Sequence, residues 1–408
     1  MHFCGALHLK PELMNFFTPP FMKSSSGWSS SHWVAGFVAV LVGFASSVAI
    51  VFQAAAAAGA NEAQIASWIG ILGFAMGVTC IGFSWYFKAP VLTAWSTPGA
   101  ALLATSLTGY SLAEAVGVFM FSALLTLLLG LSGWFDRLTK ALPLPLANAM
   151  LAGILLQFGL GIFRHLPQAP VLVIGLVLLF VLSRRLLPRY SIPLVLLAGV
   201  LFTLLRGEWS VQQLQPSLVE LEWVWPVWNW QALLGVGLPL FIVTMSSQNV
   251  PGLAVLRSHG YQTPVSPLLT VTGLLTLVTA PFGNFSINLA AITAAICSGP
   301  EAHPDPSSRY RAGIAAGVFY LLTGLAGSTI VALFLAFPPA LVAVVAGLAL
   351  LVTIASNLSV VSSDGPYREA AMLTFLLTAS GVSFFGIASA FWGLVLGLVV
   401  LLLQKWRA

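Results

Sequence analysis

The stretch APVLTAWSTPGAALLA (89–104) joins a short β-rich run to a run of small helix-forming residues. Pro90 and Pro98 bracket VLTAWST, which is too short to cross a bilayer as a helix. A second stretch, APFGNFSINLAAITAA (280–295), shows the same order of features 191 residues later. We therefore predict that each stretch is a short extended segment followed by a half-helix. Non-helical backbone at membrane depth is tolerated only where protein buries it or where it lines a cavity.

The composition places both stretches inside a membrane protein. Of the 408 residues, 59% are hydrophobic and 7% are charged, against about 25% charged in an ordinary soluble domain. The chain is predicted to be an all-α polytopic protein of the inner (plasma) membrane, with the lipid bilayer as a partner. The net charge of +5 comes from a few basic residues scattered along loops, which argues against nucleic-acid binding. The three cysteines show no ligand spacing, and no metal or cofactor is predicted.

Charges and Pro/Gly breaks divide the chain into fourteen candidate membrane spans. If the N-terminus is cytoplasmic, 14 of the 16 Lys and Arg residues fall on the cytoplasmic side, as the positive-inside rule requires, and only Arg164 and Arg206 fall outside. Both termini are therefore predicted to be cytoplasmic, with 1–32 as a tail and 207–230 as an external connection. The predicted spans are 33–58, 66–86, 91–107, 112–132, 143–162, 169–184, 191–206, 231–256, 265–280, 282–298, 310–335, 339–357, 367–385 and 387–404.

The two interrupted stretches occupy the third span of each half of the chain. A weaker sequence similarity relates spans one and eight, where Gln53 corresponds to Gln248 at an offset of 195 residues. Because each half has an odd number of spans, the second half must be inverted relative to the first. We predict an inverted repeat of seven plus seven spans, 33–206 and 231–408, which is a construction common in secondary transporters. Chance is the alternative, since small residues are frequent in membrane helices.

Polar side chains cluster at the two predicted breaks. Thr97 and Pro98 are predicted to be the N-cap and first residue of one half-helix, and Ser286 or Asn288 to cap the other. Facing half-helix N-termini present N–H groups and partial positive charge, which suits an anion or a carboxylate. The alternative is that these side chains only hold helices together. The residues predicted to bind substrate at the breaks are Thr93, Ser96, Thr97, Asn284, Ser286 and Asn288.

A third polar run, TMSSQNVPG (244–252), closes the apolar run 235–243 of span eight and carries no charge. Gln248 is its best candidate for contacting substrate, with Ser247 and Asn249 as supports and Gln53 as its counterpart in the first half. The aromatic residues that flank the breaks are candidates for an apolar slot, with ordinary packing as the alternative for each. These aromatic residues are Trp95, Phe282 and Phe285.

The runs TMSSQNVPGLAVLRSHGY (244–261), APFGNFSINLAAITAAIC (280–297) and FQAAAAAG (52–59) resemble the benzoate:proton symporter family (BenE-type). The resemblance covers nearly the whole chain after the first thirty or so residues. It implies proton-coupled uptake of benzoate or a similar aromatic carboxylate, and kinship with nucleobase and sulfate-type anion transporters. It also implies a core domain of spans 1–4 and 8–11, a gate domain of spans 5–7 and 12–14, an elevator-like movement and a possible homodimer.

Two adjacent positions depart from the pattern of the nucleobase relatives. Those proteins carry a Glu-His pair on the eighth span, where this chain has Gln248 and Asn249. An amide can hydrogen-bond to a carboxylate, but it cannot take up a proton. No Asp, Glu, Lys or Arg lies deep in a predicted span, and the nearest acid, Glu114, is at an interface. The sequence therefore predicts how an acid is bound but not where a proton is carried.

One alternative within the transporter class and two other functional classes remain to be weighed against a benzoate symporter. A transporter of another small anion or of a nucleobase is the runner-up, and a channel is disfavoured because paired interrupted spans suit alternating access. An intramembrane enzyme would need a nucleophile–base pair, paired carboxylates or metal ligands inside the bilayer. The six histidines all fall in the tail or in predicted loops. We therefore expect that the protein is not an enzyme.

Overall fold

The computed structural model describes residues 27–135, 137, 143–207, 217–363 and 365–407. Most of the predicted cytoplasmic tail and the first part of the predicted external connection lie outside the described residues. The helices, in chain order, are α1 (Ser30–Ala57), α2 (Glu62–Phe87), α3 (Thr97–Ser106), α4 (Leu112–Ser132), α5 (Leu144–Arg164), α6 (Pro170–Leu186), α7 (Ser191–Leu205), α8 (Trp230–Ser258), α9 (Val265–Thr279), α10 (Ile292–Ser298), α11 (Tyr310–Leu325), α12 (Gly327–Leu335), α13 (Pro339–Val361), α14 (Arg368–Ala379) and α15 (Ser389–Arg407). The two strands are β1 (Thr93–Trp95) and β2 (Ile287–Leu289).

Seven helices in the described part of the chain are long and apolar enough to cross a membrane: α1, α2, α4, α5, α8, α9 together with the turn that follows it, and α13. An eighth span results if Pro306–Leu325 and Gly327–Leu335, which meet at an angle of 64°, are counted as one bent span. The protein is thus a mostly helical, multi-pass membrane protein. The total of fourteen spans and their inverted repeat stay predictions.

The two short strands pair with each other inside the helical bundle. β1 and β2 are antiparallel, with Thr93 opposite Leu289, Ala94 opposite Asn288 and Trp95 opposite Ile287. The extended segments predicted at the two breaks are therefore present. Because each strand supplies the hydrogen-bond partners that the other lacks, the extended backbone can be buried at this depth.

Small residues allow the long helices to approach one another closely. A Cβ atom added at Gly73 of α2 would lie 2.5 Å from the Cα atom of Gly324 in α11. A Cβ atom at Gly130 of α4 would lie 2.5 Å from the backbone nitrogen of Thr270 in α9. Small side chains at such contacts are typical of helix packing in membranes, where van der Waals contact replaces the hydrophobic driving force.

Helix α8 runs through the polar stretch 244–252 without a break, but two of its turns are widened. The segments Leu233–Gly237 and Met245–Asn249 are π-helical. Each precedes a proline, Pro239 or Pro251, whose ring would clash with the carbonyl of the residue four positions earlier in a regular α-helix. A π-turn moves that carbonyl away, and such turns are frequent at functional sites. The second π-turn contains the polar side chains from Ser246 to Asn249.

Candidate substrate-binding site

A cavity of about 790 Å³ lies between two groups of helices. One wall comes from α1, the junction of β1 and α3, the π-turn 245–249, the start of α10, and α11. The opposite wall comes from α5, α7 and α13. The volume is in the range of pockets that hold small molecules. Among the described residues that line the cavity, none is charged. We call it the substrate cavity.

Four of the predicted site residues line this cavity: Trp95, Thr97, Ser247 and Gln248. The first two lie where β1 meets α3, and the other two lie on the π-turn of α8. Gln248 is half-buried, and its side-chain amide makes no hydrogen bond to any described residue. Ser247 donates a hydrogen bond to the carbonyl of Val243. Gln248 is therefore the member of the polar run whose hydrogen-bonding groups are available to a ligand.

The half-helix α3 presents its N-terminus to the cavity. The helix begins at Thr97, and the Ser96 hydroxyl caps it by accepting a hydrogen bond from the Gly99 nitrogen at 2.9 Å. The predicted cap, Thr97, is therefore wrong by one residue. The Ser96 hydroxyl is engaged in the cap, and the residue is fully buried and does not line the cavity. Thr97 and Pro98 do line it.

The prediction that Ser286 or Asn288 caps the second half-helix is wrong. Helix α10 begins at Ile292, after Ala291, and no side chain caps it. The Asn288 amide instead donates to the Ser286 hydroxyl at 2.6 Å. Both residues belong to or adjoin β2, which ends three residues before α10 begins, so their side chains do not reach its first N–H groups. The start of α10 still lines the cavity through Ile292 and Thr293.

Asn249 and Asn288 connect helix α8 to strand β2. The Asn249 amide donates to the Asn288 carbonyl oxygen at 3.0 Å, and the Leu289 nitrogen donates to the Asn249 carbonyl oxygen at 3.0 Å. Each asparagine is 1% exposed, and neither lines the substrate cavity. Since successive side chains on a helix point in different directions, Gln248 faces the cavity while Asn249 faces the strand. Asn249 and Asn288 thus position the site rather than contact the cavity.

The remaining predicted residues lie away from this cavity. Thr93 is fully buried, and its hydroxyl lies 2.6 Å from that of Thr79. Asn284 is also fully buried and donates to the Thr279 hydroxyl at 2.7 Å. These two side chains hold the strand segments against α2 and α9. Phe285 packs against Trp68 and Phe119, Phe282 packs against Trp223, and Gln53 is half-buried on α1.

Several cavity residues have no signature in the sequence. The Trp95 indole nitrogen donates to the Ser47 hydroxyl at 2.8 Å, and Phe44 meets the Trp95 ring edge-on at 5.0 Å. The Trp95 ring is therefore held from two sides. The Thr293 side chain is 5% exposed and lines the same cavity as the Tyr320 side chain, which reaches it from α11. These polar residues lie on otherwise apolar stretches of helix, a pattern that usually reflects packing only.

Comparison with known proteins identifies the family. The family model described as BenE, benzoate membrane transport protein, matches residues 26–403. The chain belongs to the BenE family. The resemblance of the three runs to BenE-type transporters is thereby confirmed over most of the chain, and so is the expectation that this BenE-family protein is a transport protein rather than an enzyme.

Two curated relatives of this BenE-family chain are similar over nearly their full length. Inner membrane protein YdcO of Escherichia coli (strain K12) is 47% identical over 364 residues, which are 89% of this chain and 93% of that protein. The benzoate membrane transport protein of Acinetobacter baylyi (strain ATCC 33305 / BD413 / ADP1) is 42% identical over 372 residues, 91% of this chain and 94% of that protein. With its apolar helices, the chain is accordingly a multi-pass inner-membrane protein.

Solved structures with a similar fold are anion transporters of low sequence identity. The transmembrane domain of the cyanobacterial bicarbonate transporter BicA has a TM-score of 0.56 and 15% identity, covering 92% of this chain and 96% of that domain. SLC26A9 has a TM-score of 0.61 and 12% identity, covering 91% of this chain and 65% of that protein. At such identities the likeness shows that the BenE-family chain shares their fold, and no more.

Proposed function

We propose that this protein is a secondary active transporter that carries benzoate, or a similar small aromatic carboxylate, together with a proton. Membership of the BenE family supports transport, and the substrate cavity supports the substrate class. The observation that carries the proposal is that one uncharged cavity holds the free amide of Gln248, the N-terminus of α3 and the fixed ring of Trp95.

The polar groups of the cavity suit a carboxylate. A buried carboxylate is costly unless hydrogen bonds replace its water. The Gln248 amide and the hydroxyls of Thr97, Thr293 and Tyr320 are neutral donors around one space, and the positive end of the α3 dipole adds to them. No carboxylate lines the cavity among the described residues, so the substrate meets no like charge there. Neutral donors bind an anion without holding it as firmly as an ion pair would, which suits a protein that must release its substrate.

The apolar part of the cavity suits an aromatic ring. Trp95 offers an aromatic surface that Ser47 and Phe44 hold in one orientation. Met76 and Leu151 also line the cavity and exclude water from this region. Offset or edge-on contact between two aromatic rings contributes about 0.5–1.5 kcal/mol beyond the burial of their surface. A carboxylate that carries a ring would therefore bind better than a small inorganic anion.

The position of the cavity supports alternating access. One wall belongs to helices predicted as the core domain and the other to helices predicted as the gate domain. On the core side, β1 pairs with β2, and Asn249 hydrogen-bonds to Asn288. Trp95 and Gln248, which come from different halves of the chain, are thus tied into one unit that can move against the gate helices without losing its shape. We propose an elevator-like displacement of this unit, in a homodimer.

Uptake of labelled benzoate into proteoliposomes tests the proposal. Accumulation above equilibrium is expected when the pH gradient favours proton influx with the substrate, and equilibration only is expected without a gradient. Uracil and sulfate serve as competitors. Accumulation that does not depend on the pH gradient would rule out proton symport. Strong competition by uracil, with no competition by benzoate analogues, would assign the protein to nucleobase transport.

A further inference from the structure

A second cavity, of about 530 Å³, lies at the other end of α3 from the substrate cavity. The substrate cavity is lined by Thr97 and Pro98 at the start of α3, and the second cavity by Thr105 and Ser106 at its end. The second cavity also adjoins the start of α8 and the connection between α14 and α15. In the predicted orientation this is the external end of the protein, and we call this space the outer cavity.

Little protein separates the two cavities. On α5, Leu151 lines the substrate cavity and Ile154 lines the outer cavity, and these residues are one helical turn apart. On α3, residues 99–104 line neither cavity and lie between the part that lines the substrate cavity and the part that lines the outer cavity. A movement of the α3 unit past α5 would therefore bring the substrate cavity to the outer cavity. In the predicted orientation, a substrate coming from outside would meet the outer cavity before the substrate cavity.

The outer cavity is polar, and the exposed Arg164 side chain hydrogen-bonds to one of its lining residues. Ten of its eighteen lining residues have polar side chains, and none is charged. Gln157 is one of them, and the Arg164 guanidinium donates to its carbonyl oxygen at 3.1 Å. The Gln157 amide in turn donates to the Ala379 carbonyl at 2.9 Å, which ties the residue to the end of α14. Gln157 therefore holds the positive charge of Arg164 beside the opening.

The helix geometry explains how Arg164 reaches back to Gln157. Residues 157, 161 and 164 share one face of α5, and side chains near the C-terminal end of a helix lean toward its N-terminus. Position 161 is a glycine, and no atom lies within 4 Å of the place where its Cβ would be. No side chain at position 161 therefore stands between Gln157 and Arg164. Gln157 is its one hydrogen-bond partner among the described residues, so most of its N–H groups stay available.

We propose that the outer cavity is a capture site for the carboxylate of the substrate, with Arg164 as its positive charge and Gln157 as the residue that holds this charge in place. The proposal rests on the proposed function, because its ligand is the same aromatic carboxylate. The two cavities then differ in purpose. The Arg164 guanidinium attracts an anion toward the outer cavity from a distance of about one Debye length, roughly 8 Å at physiological salt, whereas the substrate cavity, which has no charged lining residue, holds it by short-range contacts.

Kinetics of benzoate uptake from the external face test the capture site. Arg164→Gln removes the charge and keeps a polar side chain. The KM for benzoate should rise about five-fold at low ionic strength, while the maximal rate should stay near that of the wild type. At high ionic strength the difference should shrink toward zero. Arg164→Lys, which keeps the charge, should stay close to the wild type at both.

Arg206→Gln is the matched control, because Arg206 directly follows α7 on the same predicted side and lines neither cavity. An unchanged KM for Arg164→Gln, an equal change in Arg206→Gln, or a rise in KM that persists at high ionic strength would overturn the capture site. These results leave the proposed function standing as long as wild-type vesicles accumulate benzoate. If the wild type takes up no benzoate, the proposed function fails and the capture site fails with it.

Discussion

Asn249 on helix α8 hydrogen-bonds to Asn288 on strand β2 at 3.0 Å, and the two side chains join the two halves of the site. The same Asn249 accepts a hydrogen bond from the Leu289 nitrogen at 3.0 Å. The residue before it, Gln248, points the other way and makes no hydrogen bond within the described protein. The Asn249 amide thus joins α8 to β2, whereas the Gln248 amide faces the cavity, and mutations can distinguish these two roles.

Asn249→Ala should destabilise the protein. It leaves the Asn288 carbonyl oxygen and the Leu289 nitrogen buried without their partner, and each such group costs about 1–3 kcal/mol. The expected result is a clearly lower melting temperature of the purified protein in detergent, together with reduced uptake. A variant with wild-type melting behaviour would show that this hydrogen-bond pair does not hold α8 to β2.

Gln248→Ala, unlike Asn249→Ala, should reduce uptake without lowering the stability of the protein. The amide faces the substrate cavity and has no partner in the protein, so its loss should leave the melting temperature unchanged while abolishing benzoate uptake. Gln53→Ala is the control, since Gln53 is the predicted counterpart of Gln248 but does not line the cavity. Uptake should be near normal in that variant. Normal uptake by Gln248→Ala would remove this residue from the site.

Ser47→Ala should weaken substrate binding through Trp95. Without the Ser47 hydroxyl the Trp95 indole nitrogen loses its acceptor, and the ring loses one of its two supports. A loss of about 1 kcal/mol corresponds to an increase of about five-fold in the KM for benzoate. Ser46→Ala is the matched control, because Ser46 also lines the cavity but donates only to the carbonyl of Gly43. Equal effects of the two substitutions would contradict a specific role for the Ser47–Trp95 bond.

Pro251→Ala should impair transport without unfolding the protein. Alanine restores the backbone N–H and removes the ring, so that the turn Met245–Asn249 can close as a regular α-helix. The directions of Gln248 and Asn249 would then change together, and uptake should fall about ten-fold, which corresponds to about 1.4 kcal/mol. Pro239→Ala acts on the first π-turn, whose residues do not line the cavity, and should change uptake much less. Initial uptake rates of the two variants decide the point.

The sequence predicted local structure best where that structure depends on only a few neighbouring residues. The flanking residues Pro90 and Pro98 predict an extended segment followed by a half-helix, and β1 and α3 show this arrangement. For α10 the sequence predicts a start that is too early, because Ser286 and Asn288 are good N-cap residues by type but are held in and beside a strand. The strand forms only because β1, nearly two hundred residues away, pairs with it.

By itself, the sequence determined the membrane class, the polar breaks and the family. These follow from composition and from residue types at short spacing, which act on the chain locally whatever its final fold. Only the tertiary structure decided which polar side chains meet the cavity. Gln248 and Asn249 are neighbours of similar chemistry, yet one faces the cavity and the other faces β2. The direction of a side chain depends on the turn of its helix and on the partners that distant segments bring to it. The identity of a single residue determines neither.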